Sequence, residues 1–233
     1  MSHVAWSTRD TRSQELMDDP NCDLARLEKT YSQFSAVNGL VSGWQRVYRS
    51  LIRPRLSAAR PMSLLDIGFG GGDIPRALAR WAARDGMALQ VTAIDPDERA
   101  LRYVRSRPND GVHFEAATSA DVVARGERFD VVTSNHLLHH LADRELSALL
   151  ADSVAVCDGI AIHNDLSRSR IAHTVYAIGA LPFAGGSFVR ADGLLSIRRS
   201  YRPEELQRAV PAEWRVTRMF PHRLLAMYEA GAA

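Results

Sequence analysis

The chain has 233 residues, 46% hydrophobic and 24% charged, the range of an ordinary globular protein, which excludes disorder, collagen-like repeats and a coiled coil as whole-chain readings. Its 29 basic and 27 acidic residues leave a net charge of +2, too balanced for an electrostatic grip on nucleic acid. The length favours one domain with an appendage over two full domains.

The start, Met1 to Asp19, is polar and lacks the apolar run of a secretory signal. No stretch reaches the roughly 18 apolar residues of a membrane span. Cys22 and Cys157 lie far apart, with no CxxC pair to suggest a zinc knuckle or a redox motif. A cytoplasmic protein is expected.

Residues 1–60 read as an N-terminal helical cap. Helices are predicted over Leu24 to Ala36 and Leu40 to about Leu56, with Asp23 as an N-cap and Arg53-Pro54 as a weak point. Leu27, Tyr31, Phe34, Trp44, Val47, Tyr48 and Leu51 recur at three-and-four spacing and form an amphipathic stripe.

From Ser63 the period changes. Strands are predicted at Leu64 to Ile67, Leu89 to Ile94, Val112 to Glu115, Phe129 to Ser134 and Gly159 to His163. Helical stretches over Ile74 to Arg84, Asp97 to Ser106 and part of Leu137 to Cys157 separate them, which implies βαβ units and a mainly parallel sheet. An insertion, about 167–201, has no strand pattern. Pro203 to Ala209 reads as a helix. Trp214 to Met219 and Leu224 to Tyr228 then flank Phe220-Pro221-His222-Arg223 as an antiparallel hairpin.

The most informative segment is Asp66-Ile67-Gly68-Phe69-Gly70-Gly71-Gly72-Asp73, which ends the first strand and opens a helix. A dinucleotide fingerprint would want a small residue where Asp73 stands, and a carboxylate there repels a pyrophosphate. Asp95 ends the second strand, 29 residues after Asp66. In that position its carboxylate can accept hydrogen bonds from both ribose hydroxyls. The ligand is therefore a nucleoside without phosphate, carrying positive charge, and S-adenosylmethionine meets those requirements.

Asp66 to Gly72, Asp95 and Phe129-Asp130-Val131-Val132 running into Asn135 resemble the motifs of class I S-adenosylmethionine-dependent methyltransferases. The string Asn135-His136-Leu137-Leu138-His139-His140-Leu141 is similar to the segment after strand four in small-molecule enzymes of the quinone-biosynthesis type. The resemblance covers roughly Ser63 to Asp165. It implies a Rossmann-like, doubly wound α/β fold over 61–233 with a C-terminal antiparallel hairpin and a helical lid. It further implies that Gly68, Gly70 and Gly72 underlie the methionine part, that Asp66 reaches its amino group, that Asp95 holds the ribose and that Pro96 flanks the adenine. Many relatives carry a Gly-Asp pair after strand three to touch the adenine amino group. Here that region reads Ala116-Ala117-Thr118-Ser119, so Thr118, Ser119 or a backbone group is expected to substitute.

His136, His139 and His140 follow the strand-four tip, where the reactive methyl belongs. A histidine is a natural base for a phenolic hydroxyl whose own pKa is around 10. On a helix His136 shares a face with His139 or His140, while the adjacent pair points roughly 100° apart, so one ring is expected to pack on the core. A metal on His136 and His140 lacks an intervening glutamate and a third ligand, and no resident metal is expected. Asp165 either orients a base or ends its strand, and His173 reads as a lid residue. The N-terminal aromatics and the apolar stretch Val175 to Phe183 together suit a closed chamber for a small hydrophobic acceptor.

The expected activity is methyl transfer to a phenolic or quinone-like acceptor, at oxygen, by a monomer or homodimer without nucleic-acid partners. An RNA or DNA methyltransferase would usually show Asn-Pro-Pro-Tyr where Asn135-His136-Leu137-Leu138 stands. A nicotinamide dehydrogenase conflicts with Asp73. A non-catalytic S-adenosylmethionine-binding protein keeps the loop but needs no base.

Overall fold

The computed structural model describes residues 6–108 and 110–231. The start of the expected cap, 1–5, lies outside them. Helix α1 (Leu24–Val41) is capped by Asp23, whose side chain accepts from the Arg26 amide. It runs further than its apolar stripe suggested and stops at Gly43, which takes φ +71°. The second predicted helix is broken into α2 (Trp44–Val47), a π-turn over Tyr48–Ile52 and a 3-10 turn over Arg53–Arg55. Pro54 has no amide hydrogen to continue the ladder, which ends the run as expected.

Strand β1 (Met62–Ile67) leads through the glycine loop into α3 (Asp73–Arg84), followed by β2 (Leu89–Ile94), α4 (Glu98–Arg105) and β3 (Val112–Glu115). Helix α5 (Ser119–Ala124), which the sequence reading did not mark, precedes β4 (Phe129–Asn135). Next come a 3-10 turn over Leu138–His140, α6 (Asp143–Val156) and β5 (Cys157–Leu166), longer than predicted at both ends. The insertion forms α7 (Arg170–Gly179), a 3-10 turn over Leu181–Phe183 and α8 (Val189–Arg199). Helix α9 (Pro203–Ala209) and the hairpin β6 (Arg215–Met219) and β7 (Arg223–Glu229) close the chain.

The strands form one seven-stranded sheet in the order β3-β2-β1-β4-β5-β7-β6. Strands β1 to β5 pair in parallel, and β7 runs antiparallel to both β5 and β6. Successive residues of each strand face opposite layers. Leu64, Val91, Val131 and Ile162 join Leu27, Tyr31, Trp44, Leu78 and Leu101 in one core. Leu65, Ile94, Val132 and Ala161 join Val122, Leu146, Leu150, Leu206 and Trp214 in the other. The sheet is thus doubly wound, and the helices before β1 belong to the same core as α3 and α4. No helix among the described residues is long and apolar enough to cross a membrane.

Candidate active site

A cavity of about 830 Å³ opens at the carboxyl ends of the central strands, where strand order reverses between β1 and β4. Gly68 and Gly70 form its floor with φ +77° and +50°, a left-handed backbone that side chains disfavour. The loop is pinned by Asp95, whose Oδ2 accepts from the Gly70 amide and Oδ1 from the Asp97 amide, each at 2.9 Å. Asp66, 1% exposed, accepts from the Thr133 hydroxyl at 2.8 Å. Asp73, at the start of α3, accepts from Asn38 Nδ2 of α1 at 2.9 Å.

These three carboxyls line one wall and form no ion pair within 4 Å among the described residues, although the charges of Arg80 and Arg99 act on Asp73 and Asp95 from further off. Burial, reinforced by the charges of Asp73 and Asp95 and only partly offset by the Thr133 hydroxyl, pushes Asp66 up to about 8. Burial likewise raises Asp73 to about 6 and lifts Asp95 above the usual carboxylate range. A ligand carrying positive charge and hydroxyl donors relieves all three.

Asp66, Gly68, Gly70, Asp95, Pro96 and Asn135 all line this cavity, with His136, His139 and His140. Gly72, Thr118 and Ser119 are not among its lining residues. Gly72 caps α3 at φ +74°, where a Cβ would stand 2.8 Å from Val104 Cγ1, so its demand is packing. Thr118 caps α5 in a reciprocal box with Asp121, and the Ser119 hydroxyl donates to Asp152 at 2.7 Å. Asp121 and Asp152 therefore occupy both hydroxyls expected at the adenine, the first within the α5 cap and the second from α6. Asn135 Oδ1 accepts from Trp44 Nε1 and Arg223 Nη2, both at 2.9 Å, leaving its amide nitrogen as the remaining donor.

The three histidines do not share a helix. His136 leaves β4 with φ +58°, and only then does the 3-10 turn begin, because the β4 to β5 pairing persists to Asn135 and Asn164. His136 Nε2 accepts from Arg223 Nη1, and a guanidinium has only donors, so the ring carries its proton at Nδ1. Burial and the Arg223 charge hold it neutral, well below the usual imidazole range.

His139 is gripped by Asp165. Its amide donates to Oδ2 at 2.8 Å and its Nδ1 lies 2.6 Å from Oδ1. Its Nε2 stands 3.3 Å from Glu15 Oε1. Burial opposes charge on this ring, but Asp165 and Glu15 override it and raise its pKa to about 9. His140 lies beside it, the rings inclined at 36° with centroids 4.3 Å apart, its Nδ1 3.0 Å from Asp18 Oδ2 and its Nε2 3.8 Å from Glu15 Oε1.

Glu15, Asp18 and Arg223 escaped the sequence reading. Glu15 and Asp18 sit around a short 3-10 turn (Leu16–Asp18) without periodic pattern, and Asp192 of α8 fixes that turn by accepting the Leu16 and Met17 amides. Arg223 left one signal, a lone cation opening an apolar strand. His163 and His173 lie away from the cavity. The first is buried between the Ser134 and Ser153 hydroxyls, and the second packs edge-on to Trp6.

Most of the remaining lining is apolar. Phe34, Val37 and Val41 of α1, Val175 of α7 and Val189 and Ile197 of α8 face the cavity. Helix α1 lies directly over the glycine loop, since a Cβ on Gly71 would meet Phe34 Cδ2 at 3.3 Å and Tyr31 O at 3.0 Å.

A family model described as a methyltransferase domain matches residues 64–158, the segment holding the glycine loop, Asp95 and the histidine turn. This segment is similar to a methyltransferase domain, in line with the resemblance of its motifs to class I S-adenosylmethionine-dependent methyltransferases. It is 30% identical over 152 residues to a ubiquinone biosynthesis O-methyltransferase of Methylobacterium sp. (strain 4-46), covering 64% of this chain and 57% of that protein. A protein of the same name from Mesorhizobium japonicum is 29% identical over 162 residues, covering 66% and 60%. The chain thus spans less than two thirds of the length of the curated relatives it matches.

Among solved structures, the plantazolicin methyltransferase BpumL in complex with SAH has a TM-score of 0.57 at 13% identity, covering 91% of each chain. Human N-acetylserotonin methyltransferase in complex with SAM has a TM-score of 0.60 at 12% identity, covering 89% of this chain and 56% of that one. At such identity the likeness is one of fold. The acidic wall, including Asp95, and the glycine floor fit S-adenosylmethionine, whose sulfonium and ammonium groups carry positive charge.

Proposed function

We propose that the protein transfers the methyl group of S-adenosylmethionine to an oxygen of a small hydrophobic phenolic or quinone-like acceptor held under the helical lid. One observation carries the reading. A single cavity has an acidic, glycine-floored wall at one end, apolar helices over it, and Glu15, His139 and His140 as a polar patch within reach of both. The O-methyltransferase names of the sequence relatives support oxygen as the acceptor atom.

S-adenosylmethionine supplies a methyl group on a sulfonium, which leaves as a neutral thioether. The chain's own residues then have three tasks. Asp66 offers a carboxylate to the ammonium, and Asp95, already oriented by two amides, offers lone pairs to the ribose. Gly68 and Gly70 allow close approach of backbone, and Pro96 borders the base. Phe34 and Tyr31 cover the loop and exclude water, so most of the rate comes from placement in a dry chamber. His136, neutral and locked as an Nδ1–H donor, orients the acceptor, and the Glu15, His139 and His140 patch, with the cationic His139 ring, favours the acceptor oxygen as its anion, the hydroxyl proton passing to solvent. In this reading residues 1–60 act as a cap on a domain of 61–233, and 167–201 as the acceptor lid. A role in making a quinone or a secondary metabolite in the cytoplasm fits the apolar chamber and two free thiols.

Incubation with S-adenosylmethionine and a panel of phenols and hydroxyquinones tests the proposal. The expected product is an O-methyl ether formed in step with S-adenosylhomocysteine. Methylation of RNA but of no member of the panel would overturn it.

A further inference from the structure

We propose that Glu15, His139 and His140 form a binding site for one divalent transition-metal ion at the acceptor end of the cavity. The inference rests on the methyltransferase reading and deepens it. Sequence spacing had set His136 beside His140; the fold instead brings in a carboxylate from residue 15.

The donor atoms already cluster. One ligand atom from each of the three residues lies within 4.8 Å of the other two. Nitrogen and oxygen ligands about 2.0–2.1 Å from a tetrahedral zinc ion stand roughly 3.3 Å apart. His139 Nε2 is 3.3 Å from Glu15 Oε1 and His140 Nε2 is 3.8 Å from the same oxygen, so two edges of that figure are nearly formed. His139 Nε2 is buried and makes no hydrogen bond among the described residues.

The outer contacts are those a metal site needs. A ligating imidazole usually gives its other ring nitrogen to a carboxylate, which fixes the tautomer and raises basicity. Both rings do so, His139 Nδ1 to Asp165 at 2.6 Å and His140 Nδ1 to Asp18 at 3.0 Å. Glu15 is itself held by the Ser196 hydroxyl at 2.8 Å, with Arg199 Nε 3.9 Å away. A metal ion would take the place of the His139 ring proton, and there the carboxylates of Glu15, Asp18 and Asp165 outnumber the nearby Arg199 guanidinium by two, a charge that a dication balances. Three protein ligands with further positions open toward a cavity is the arrangement of metal sites that bind a substrate oxygen.

The test uses the tag-free full chain, stripped with a chelator, and zinc chloride as probe. Calorimetry should show one zinc ion per chain, and cobalt(II) should give the visible spectrum of nitrogen and oxygen coordination. Glu15→Gln and His140→Ala should each weaken zinc binding at least tenfold, and Asp18→Asn about 10- to 100-fold, while all three still bind S-adenosylhomocysteine. Zinc uptake by the wild type no greater than by the Glu15→Gln/His140→Ala double variant would overturn the metal site. Normal S-adenosylhomocysteine binding in that experiment would leave the methyltransferase reading standing, whereas its loss in the wild type would strike the reading itself.

Discussion

Asp165, at the carboxyl end of β5, holds His139 through both oxygens, one on the backbone amide at 2.8 Å and one on the ring at 2.6 Å. Both side chains are almost wholly buried, at 3% and 0% exposure, so the pair is shielded from solvent screening. Removing one partner of such a pair leaves the other buried without compensation. Asp165→Asn is expected to cost about 3 kcal/mol of stability, read as a lower urea midpoint at unchanged slope. A change within about 0.5 kcal/mol would mean that the His139 turn is held by packing alone.

The acidic wall predicts a pH dependence. Asp66 has a folded-state pKa of about 8 against 3.8 for an ordinary aspartate. Between those values the folded chain holds a proton that the unfolded chain has lost, so this group's contribution falls as pH rises from about 4 to about 8. A cationic ligand favours the ionised carboxylate and expels that proton. Affinity for S-adenosylhomocysteine, which keeps the ammonium, should therefore rise from pH 6 to pH 8 by up to about tenfold per unit for one proton. Binding heats in buffers of different ionisation enthalpy should show proton release. Proton uptake, or heats independent of buffer, would contradict the role of Asp66.

Gly72 separates packing from cofactor contact. An alanine there would take a left-handed φ of +74° and press a Cβ to 2.8 Å from Val104 Cγ1 and 3.1 Å from Phe114 Cζ. Backbone strain of about 1–2 kcal/mol adds to the cost of overpacking, so Gly72→Ala should lower the thermal midpoint. Variant protein that remains folded should bind S-adenosylhomocysteine almost as tightly as the wild type. A loss of affinity without a loss of stability would put Gly72 in the binding surface after all.

Trp44 ties the N-terminal helices to the strand-four tip through its bond to Asn135 Oδ1. Trp44→Phe keeps the buried ring but removes the donor, at an expected cost of about 1 kcal/mol. The loss should fall to a few tenths of a kcal/mol in an Asn135→Ala background, where the partner is absent. Equal losses in both backgrounds would show that the bond contributes nothing.

The sheet was legible because burial on both faces demands near-continuous apolar runs, and Leu64 to Ile67, Leu89 to Ile94 and Phe129 to Ser134 satisfy that demand. The glycine loop and Asp95 were legible because a left-handed turn and a strand-end carboxylate leave residue-type signatures. Glu15 and Asp18 were not, since their position comes from Asp192 of α8, some 175 residues away. The histidine turn was misread as helix because i, i+3, i+4 spacing carries no sign of the positive φ at His136. Thr118 and Ser119 were placed at the adenine by order along the chain, whereas Asp121 takes the first hydroxyl locally and Asp152 of α6 takes the second across the fold. Sequence pattern reports faces and turns; it does not report which distant backbone a carboxylate will clamp.

The account rests on this cavity holding the cofactor, and calorimetric titration with S-adenosylhomocysteine, beside an Asp95→Ala variant, tests that most directly. The account predicts micromolar binding by the wild type, weakened at least tenfold in a variant that stays folded, since two hydrogen bonds to a charged acceptor are lost. Folded wild-type protein that binds none, or a variant that binds as tightly, would contradict it.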